Sequence, residues 1–422
     1  MLEHAQAIVD ALQRFEFVYP FVMGGIWVAG ALFFWWFEER GVPDSHRPAL
    51  SAPCPSVAVI VPCHNEAPQV GDTIRALTEL HYSDYEIIAV DDGSTDGTGR
   101  ILQALAAEEP RLRVLRLPVN RGKAAAMRAG VHLTDAEYVI CIDGDALLDE
   151  GAVGWMVGAL AAANDIGAVT GNPRIRSRST ALGRLQVGEF STLVGLIKRA
   201  QMVMGHLFTV SGVVCGFRRR ALADVGYWRT DMLTEDVDIT WRLQLAGWRV
   251  RFEPRALCWI LTPETLRGLW RQRLRWATGA AQVFLACLPR LLRWRSRGMW
   301  VIAGEYVASA LWALVAITLT FLWVIALLPG VSLPVSVGGL VPREWGLMLG
   351  AIFLLQVAVG MALDRRYEPG VARYLPSVIG YPFAFWVLMA LSVVVGLPRA
   401  LVRARGRQAV WVSPDRGLRS NP

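Results

Sequence analysis

The stretch Y-E-I-I-A-V-D-D-G-S, residues 85–94, is the clearest indication of the fold class of this 422-residue chain. A run of β-branched and other apolar residues ends at Val90 and is followed by a polar turn with two aspartates and a glycine, a pattern typical of a buried strand. Three other short apolar runs have the same character, at residues 57–61, 113–117 and 138–142. Because helical patterns separate these runs, the sequence predicts an α/β fold with a doubly wound, parallel sheet.

The composition indicates that this sheet is only one part of the chain. Hydrophobic residues make up 54% of the sequence and charged residues 19%, with a mean hydropathy of +0.35. An ordinary soluble enzyme carries more charge, so we expect membrane segments outside the strands. The apolar excess lies in four stretches long enough to cross a bilayer as helices, at residues 17–37, 306–328, 345–363 and 377–397.

These stretches divide the chain into five predicted regions. They are an N-terminal segment at 1–16, a transmembrane helix at 17–37, a globular domain at 53–297, a membrane region at 299–397 and a basic tail at 398–422. Within the globular domain, we expect amphipathic helices at the membrane interface over about residues 178–208 and 262–297.

Arginines predict the orientation, since basic residues next to membrane spans favour the cytoplasmic side. The arginines at 290–297 and the pair Arg365 and Arg366 place the globular domain in the cytoplasm. Three spans after that domain would then leave the basic tail outside, against the same rule. Either the tail is an exception or one stretch does not cross. The last stretch, with Gly380 and Pro382 near its start, is the candidate for a bent or re-entrant segment.

Cysteines and glycines exclude several classes of protein. None of the six cysteines forms a C-x-x-C pair, and most lie in apolar runs. They are therefore expected to be buried thiols of a reduced compartment, forming neither a zinc site nor disulfides. No G-x-G-x-x-G follows the first strand and no G-x-x-x-x-G-K-[ST] occurs. Neither a Rossmann dehydrogenase nor a P-loop NTPase is supported.

Acidic residues follow two of the predicted strands. Asp91 and Asp92 end the second strand, and Asp143 and Asp145 follow the fourth. Because ligands bind at the carboxyl ends of parallel strands, we expect these four side chains in one crevice. Carboxylates brought together repel unless a cation lies among them, and an Asp-x-Asp pair suits Mg²⁺ or Mn²⁺ bound to diphosphate oxygens. The alternative is that Asp-Gly-Asp is only a turn.

Lys123 follows Gly122 at the start of a predicted helix and is one of only two lysines among 43 basic residues. A lysine at a strand-to-helix turn is suited to bind a phosphate or a sugar, although chance retention explains it equally well. Lys198, the other lysine, lies on a long amphipathic stretch and carries no such signal.

Two later segments bring polar groups toward the same crevice. The cluster L-T-E-D-V-D at 233–238 begins a helical pattern, where acidic residues also serve as caps. In Q-R-L-R-W at 272–276, helical spacing places Gln272, Arg275 and Trp276 on one face and apolar residues opposite. We expect the polar face to point to the crevice, and the alternative is a basic helix that rests on anionic lipid.

Together these motifs resemble those of the processive family 2 glycosyltransferases, which make cellulose, chitin, hyaluronan and poly-N-acetylglucosamine. Within this family, the motifs resemble those of the bacterial poly-β-1,6-N-acetyl-D-glucosamine synthases in particular. The resemblance runs from residue 17 to residue 417 and rests on P-C-H-N-E, D-D-G-S-T-D-G-T, N-R-G-K-A, C-I-D-G-D, T-E-D-V-D and Q-R-L-R-W. The stretches V-T-G-N-P-R-I-R (169–176), E-P-R-A-L-C-W-I-L (253–261) and W-V-S-P-D-R-G (411–417) add to it. The resemblance implies a glutamine where this chain has Thr278, so this position is a departure from the family pattern.

The resemblance implies a GT-A type nucleotide-sugar-binding domain inserted between transmembrane helices, and a role for each matching residue. Asp236 is the implied general base, with Glu235 beside it. Asp143 and Asp145 are the implied ligands of Mg²⁺ or Mn²⁺. The residues implied to bind the donor are Glu66, Asp92 at the uridine, Lys123, Asp143, and Gln272, Arg273 and Arg275 at the diphosphate. Those implied to bind the acceptor are Trp276, Ser211 and Gly212.

The implied activity is inverting, processive polymerisation of N-acetylglucosamine from UDP-GlcNAc into β-1,6-linked poly-GlcNAc, a biofilm exopolysaccharide, with translocation of the growing polysaccharide across the bacterial inner membrane. The resemblance also implies a small membrane subunit of the PgaD type and activation by cyclic di-GMP. Two alternatives remain. The product could be another polymer, such as hyaluronan, chitin or a cellulose-like chain, or the protein could be a non-catalytic export component that binds a nucleotide sugar. Glu305, early in the second span, is a candidate for lining the exit path or for snorkelling to the interface.

Overall fold

The computed structural model describes residues 2–42, 54–337, 343–403, 406 and 408–410. An eight-stranded sheet forms the centre of the globular domain, and long apolar helices flank it in the chain. The stretch W-V-S-P-D-R-G and most of the predicted basic tail lie outside the described residues.

The sheet is parallel in one half and mixed in the other. Its strands are β1 Val57–Cys63, β2 Tyr85–Asp92, β3 Leu112–Leu117, β4 Tyr138–Ile142, β5 Leu147–Leu148, β6 Ile166–Ile175, β7 Val214–Arg218 and β8 Arg249–Ile260. Their spatial order is β3-β2-β1-β4-β7-β6-β8-β5. Strands β3, β2, β1 and β4 are parallel, whereas β7 is antiparallel to both of its neighbours. The four predicted strands therefore form the predicted parallel sheet, and β7 makes the remainder mixed.

Helices cover the sheet, which explains why its central strands are unbroken apolar runs. Every residue of β1 and β4 is buried, as expected for strands covered on both faces. The helices that come before β6 in the chain are α2 Val70–Thr78, α3 Thr98–Glu108, α4 Lys123–Val131 and α5 Ala152–Ala161. Because parallel strands end at one edge, β2 and β4 bring their terminal carboxylates to the same side of the domain.

The remaining helices of the domain include the two segments expected at the membrane interface. They are α6 Ala181–Phe190, α7 Ile197–Val203, α8 Arg219–Asp224, α9 Glu235–Leu245 and α10 Leu266–Leu291. A π-helical turn, Ser191–Leu196, joins α6 to α7. Its wider turn changes which residues of α7 face the sheet, relative to a regular continuation of α6.

Among the described residues, four helices are long and apolar enough to cross a membrane. They are α1 Leu2–Phe34, which continues through a π-helical turn at Trp35–Glu39, α11 Trp300–Ala326, α12 Arg343–Asp364 and α13 Tyr381–Val402. Helix α1 begins at Leu2, so the predicted N-terminal segment and the predicted first span form one helix.

Hydrogen bonds at the two ends of α1 define how the first three of these helices are arranged. Near its start, Gln6 Nε2 donates to Ser336 O, 3.1 Å away, in the segment after α11. Beyond its end, Arg366 Nη1, after α12, donates to Glu39 O at 2.6 Å. The segment after α11 therefore lies beside the start of α1, and the segment after α12 lies beside the end of α1.

A buried charge-pair cluster ties these helices to the domain. Arg199 of α7 pairs with Glu39 at 2.6 Å and with Asp364, the last residue of α12, at 3.0 Å. Arg174 of β6 pairs with Asp364 and, at 2.8 Å, with Glu368. Both guanidinium groups are almost fully buried. In this cluster the two buried guanidinium groups and the three carboxylates compensate one another's charge. Loss of one partner would therefore leave an uncompensated buried charge.

Helix α13 packs along α10, and the segments at both of its ends contact the globular domain. Before it, the 3₁₀ helix Val371–Val378 packs on α6. After it, Gln408 Nε2 donates to Arg121 O at 2.6 Å, and the backbone N–H of Ala409 donates to Thr230 O at 2.8 Å. Helix α13 also packs on α11, so it contacts both the globular domain and a long apolar helix.

Candidate active site

Lys123, the first residue of α4, lies at the centre of the site. Its Nζ contacts the carboxylate of Asp143, which follows β4, and lies 3.4 Å from Glu235 Oε1 at the start of α9. It also donates to Gly212 O at 2.8 Å. Burial alone would lower the pKa of Lys123, but the Asp143 and Glu235 carboxylates raise it above its ordinary value. The charged lysine thus joins the acidic strand end to the acidic helix start.

The turn Asp143-Gly144-Asp145 is tightly packed after β4. A Cβ on Gly144 would lie 3.1 Å from Cys63 Sγ and 3.3 Å from Glu66 Cγ, so the turn passes directly beside the end of β1. Asp145 and Glu66 are both buried. The structure therefore brings together the two predicted metal ligands and Glu66, a predicted donor-binding residue.

Asp143 and Asp145 form the carboxylate pair on which a metal site would depend. Among the described residues, no group of three or more His, Cys, Asp or Glu side chains has an arrangement that could hold a metal ion. Mg²⁺ and Mn²⁺ in nucleotide sites commonly use one or two carboxylates, with substrate phosphates and water as the other ligands. The donor set present here fits that kind of site.

Asp92, at the end of β2, is fully buried. Its Oδ1 accepts the backbone N–H of Arg121 at 2.8 Å, and its Oδ2 accepts that of Gly122 at 2.7 Å. Burial raises the pKa of Asp92, and these two hydrogen bonds oppose the rise. The carboxylate therefore fixes the turn that positions Lys123.

Asp91, next to Asp92, has a local structural role. Its Oδ1 accepts the backbone N–H of Ser94 at 2.9 Å. Of the four carboxylates predicted to share one crevice, Asp91 and Asp92 thus bind the turns that follow β2 and β3, while Asp143 and Asp145 lie in the turn that follows β4.

Asp236, the second residue of α9, faces the turn at Ser211 and Gly212. A Cβ on Gly212 would lie 3.1 Å from Asp236 Oδ2, so the close approach favours glycine. Burial and the neighbouring Glu235 carboxylate raise the pKa of Asp236 to about 6, against the opposing effect of Lys123 and Arg275. A carboxylate with this pKa is suited to take a proton near neutral pH.

The acidic cluster therefore divides into two parts. Glu235 and Asp236 face the site, whereas Asp238 is fully buried between Arg229 and Arg242, with Arg242 Nε 2.8 Å from its Oδ2. The last carboxylate of T-E-D-V-D thus stabilises the fold and belongs to a separate contact.

Helix α10 approaches the start of α9 through Gly279. A Cβ at this position would overlap the side chain of Thr234, at 2.9 Å from its Cβ. One turn earlier, Arg275 is exposed, and Gln272 is partly exposed. Arg275 Nη1 donates to Leu233 O, next to the T-E-D segment, at 3.5 Å.

Arg273 does not lie where the sequence predicts, and it packs against Trp276. The Arg273 side chain is completely buried, pairs with Glu189 of α6, and its guanidinium lies 4.2 Å from the centre of the Trp276 ring. A guanidinium enclosed between α10 and α6 does not face the crevice. Arg273 thus forms a contact between two helices, and Arg275 is the residue of this motif that contacts the segment before α9.

Lys198 is the residue that sequence reasoning missed. It is buried on α7, and its Nζ donates to Ser211 Oγ at 2.7 Å and to Thr170 Oγ1 at 3.0 Å. Ser211 precedes Gly212, which contacts Asp236. The rarity of lysine in this chain was the one available signal, since the amphipathic pattern around Lys198 gave none.

The fold and this site define a glycosyltransferase. The profile of the family described as Glycosyl transferase family 2 matches residues 58–226, and the chain belongs to this family, as its motifs predicted.

Two relatives match over nearly their whole length. The chain is 36% identical over 412 residues to a poly-beta-1,6-N-acetyl-D-glucosamine synthase of Staphylococcus epidermidis, covering 96% of this chain and 98% of the relative. It is 35% identical over 409 residues to the synthase of the same name from Staphylococcus aureus strain COL, covering 96% and 99%. The predicted resemblance to this group of synthases is confirmed.

A solved structure shares the fold. The mannosyltransferase PcManGT from Pyrobaculum calidifontis, in complex with GDP-Man and Mn²⁺, superposes with a TM-score of 0.58 at 21% identity, over 95% of this chain and 99% of that one. Since the similarity extends over almost the whole of both chains, it includes more than the catalytic sheet.

Proposed function

We propose that this protein is an inverting, processive synthase that polymerises N-acetylglucosamine from UDP-GlcNAc into β-1,6-linked poly-GlcNAc. The observation that carries the proposal is the position of Lys123 between Asp143 and Glu235, next to Asp236. This arrangement brings the carboxylate of Asp143, at the sheet edge proposed to bind the diphosphate, close to Asp236, the carboxylate proposed as the base. The full-length similarity to two poly-beta-1,6-N-acetyl-D-glucosamine synthases supports the choice of sugar and linkage.

In the proposed reaction, Asp236 takes the proton of the acceptor hydroxyl. The hydroxyl oxygen forms a bond to C1 of the donor sugar while the bond from C1 to the phosphate oxygen breaks, and UDP leaves. One displacement inverts the α-linked donor to a β-linked product. Ser211, Gly212 and Trp276 would hold the acceptor, with the backbone turn of Ser211 and Gly212 against the base.

The departing diphosphate carries the charge that must be stabilised. Gln272 and Arg275 on the exposed face of α10 would bind it, and Glu66 and the turn held by Asp92 would bind the nucleoside part. Asp143 and Asp145 would hold Mg²⁺ or Mn²⁺. Such an ion supplies Lewis-acid stabilisation of the leaving group when bound, and the complex of the structural neighbour with Mn²⁺ supports its use.

The growing polysaccharide would leave between the membrane helices, across the bacterial inner membrane, with the globular domain in the cytoplasm. Polar groups between α1 and α11 support this path. Tyr19 Oη lies 2.6 Å from Ser309 Oγ, and Glu305 is only partly exposed on the same side of α11. Polar groups on facing spans mark a route for a polar substrate.

We further propose that α13 does not cross the membrane. The hydrogen bonds of Gln408 and Ala409 to the globular domain support a tail on the cytoplasmic side, as the arginine rule requires. A periplasmic phosphatase reporter fused to the C-terminus should be inactive, while a cytoplasmic fluorescent reporter should be bright. An active phosphatase would show that α13 crosses.

A small membrane subunit of the PgaD type and activation by cyclic di-GMP complete the proposal, and both belong in the assay. Membranes that contain the chain are incubated with UDP-GlcNAc and Mg²⁺, with and without these two components, and UDP release is followed. We expect UDP release and a product that a β-1,6-specific glucosaminidase digests. A product resistant to that enzyme would indicate a related synthase, and no UDP release under any condition would indicate a non-catalytic component.

A further inference from the structure

Lys198 is a buried cation that the proposed reaction does not use. Its side chain is 5% exposed, and its two hydrogen bonds go to the neutral hydroxyls of Ser211 and Thr170. Neither of these two hydrogen bonds involves a carboxylate. Burial of an ammonium group without a directly paired carboxylate is costly, and such groups are concentrated at functional sites.

The hydroxyl partners of Lys198 form the support of a turn. The backbone N–H of Ser211 donates to Thr170 Oγ1 at 2.7 Å, while Lys198 donates to both hydroxyls. Thr170 belongs to β6, so the turn is fixed to the sheet. The next residue, Gly212, is the one whose α-carbon approaches the Asp236 carboxylate. Lys198 thus acts on Asp236 through one turn of backbone.

The direction of these hydrogen bonds also orients Ser211. An ammonium group has only donors, so Ser211 Oγ accepts from Lys198 and keeps its own hydrogen to donate elsewhere. A hydroxyl donor beside the base is suited to an oxygen of the acceptor sugar.

Lys198 and Asp236 also interact through their charges. Burial lowers the pKa of Lys198 to about 7, and attraction by the Asp236 carboxylate opposes the decrease. A protonated Lys198 favours the ionised form of Asp236, which is the form a base needs.

We propose that Lys198 is a positioning residue for Asp236, which holds the Ser211–Gly212 turn against the carboxylate and supplies a nearby positive charge. This inference rests on the proposed function, since it assigns Asp236 as the base. Lys198 itself touches neither substrate nor reacting atoms.

Several other groups act on the same carboxylate and have to stay constant in a test. The groups that interact electrostatically with Asp236 are Glu235 on its own helix, Lys123 from α4, Arg275 from α10 and Cys215 from β7. A substitution at position 198 leaves all of them in place.

The test compares Lys198→Met with Lys198→Arg in membranes that contain the full chain. In the methionine variant we expect kcat to fall about tenfold or more, and the acid limb of the kcat/KM profile to move up by about one pH unit because Asp236 loses a neighbouring cation. UDP affinity should stay within about twofold of the wild type. In the arginine variant the acid limb should return to its wild-type position.

Ser211→Ala is the matched variant, since it removes a hydroxyl partner but keeps the charge. We expect a lower kcat/KM with no shift of the acid limb. An unshifted acid limb in Lys198→Met, whether or not kcat falls, would overturn the proposal, because a purely structural residue lowers activity equally at every pH. If the methionine variant does not bind UDP, the arginine variant decides, and an acid limb different from the wild type would overturn the proposal. Failure of the proposed function is a separate result, visible as absent UDP release by the wild-type chain.

Discussion

Lys123 Nζ lies 3.4 Å from Glu235 Oε1, and this relationship connects the two halves of the site. Lys123 begins the helix that follows β3, and Glu235 begins the helix before β8, 112 residues later in the chain. Lys123 also contacts Asp143. One ammonium group therefore links the carboxylate that follows β4 to the start of α9, the helix that carries Asp236.

Lys123→Met should remove most of the activity. The substitution leaves Asp143 and Glu235 without their shared cation. Because the two carboxylates then repel each other, we expect weaker binding of the donor and a displacement of α9. We expect turnover to fall by about 100-fold or more, with weaker UDP binding, as measured by UDP release and by titration with UDP. Arg220→Met, which removes an exposed arginine of α8, is the control and should retain near wild-type turnover. Near wild-type turnover of Lys123→Met would contradict the central position of this lysine.

Activity should depend on the ionisation of Asp236. A base has to be deprotonated to act, and the pKa of Asp236 is raised to about 6 by burial and by Glu235. We therefore expect kcat/KM to decrease by about tenfold per pH unit below that value and to level off above it. The measurement is the rate of UDP release at low UDP-GlcNAc over roughly pH 5 to 8. A rate that increases as the pH falls through this range would contradict a carboxylate base.

Gly279→Ala should disturb the contact between α10 and α9. The added methyl group would overlap Thr234, so α10 has to move away from the T-E-D segment. Because small displacements of catalytic groups are costly, we expect about a tenfold or larger loss of kcat. Gly158→Ala in α5 is the matched control, since nothing lies within 4 Å of the added Cβ and alanine is the better helix former. Equal activity of the two variants would show that the close approach at Gly279 has no role in catalysis.

Asp364→Ala should destabilise the junction between the spans and the domain. The variant leaves the buried guanidinium groups of Arg174 and Arg199 without a shared partner, a change that typically costs about 3–5 kcal/mol. We expect a lower midpoint of thermal unfolding in detergent. Asp165→Asn, which changes an exposed pair with Arg249, should leave the midpoint unchanged. The same midpoint in both variants would mean that the buried cluster contributes no more than a surface pair.

The strand ends could be predicted from sequence because their signals are local. A buried parallel strand is an unbroken apolar run, and β4 was predicted at residues 138–142 with the bounds that the structure has. The acidic turns follow these runs directly, so the positions of Asp143 and Asp145 at one edge of the sheet required only the alternation of strands and helices.

The other parts of the site depend on contacts that no local pattern encodes. Arg273 was expected to face the diphosphate, but Glu189, 84 residues away, pairs with it in the core. The pattern around Lys198 does not predict its role, because that role depends on Thr170, 28 residues away in the sequence, and on Ser211. Strand β7 lies between β4 and β6 and is antiparallel to both, an order and a direction that strand patterns cannot predict.

The most direct test of the account is to measure turnover and UDP binding together in Asp236→Asn. Asparagine has nearly the same shape as aspartate but cannot accept the proton of the acceptor hydroxyl. We expect UDP release to fall by about 100-fold or more, while UDP affinity stays within about twofold of the wild type. Retained turnover, or loss of UDP binding together with turnover, would contradict the assignment of Asp236 as the base.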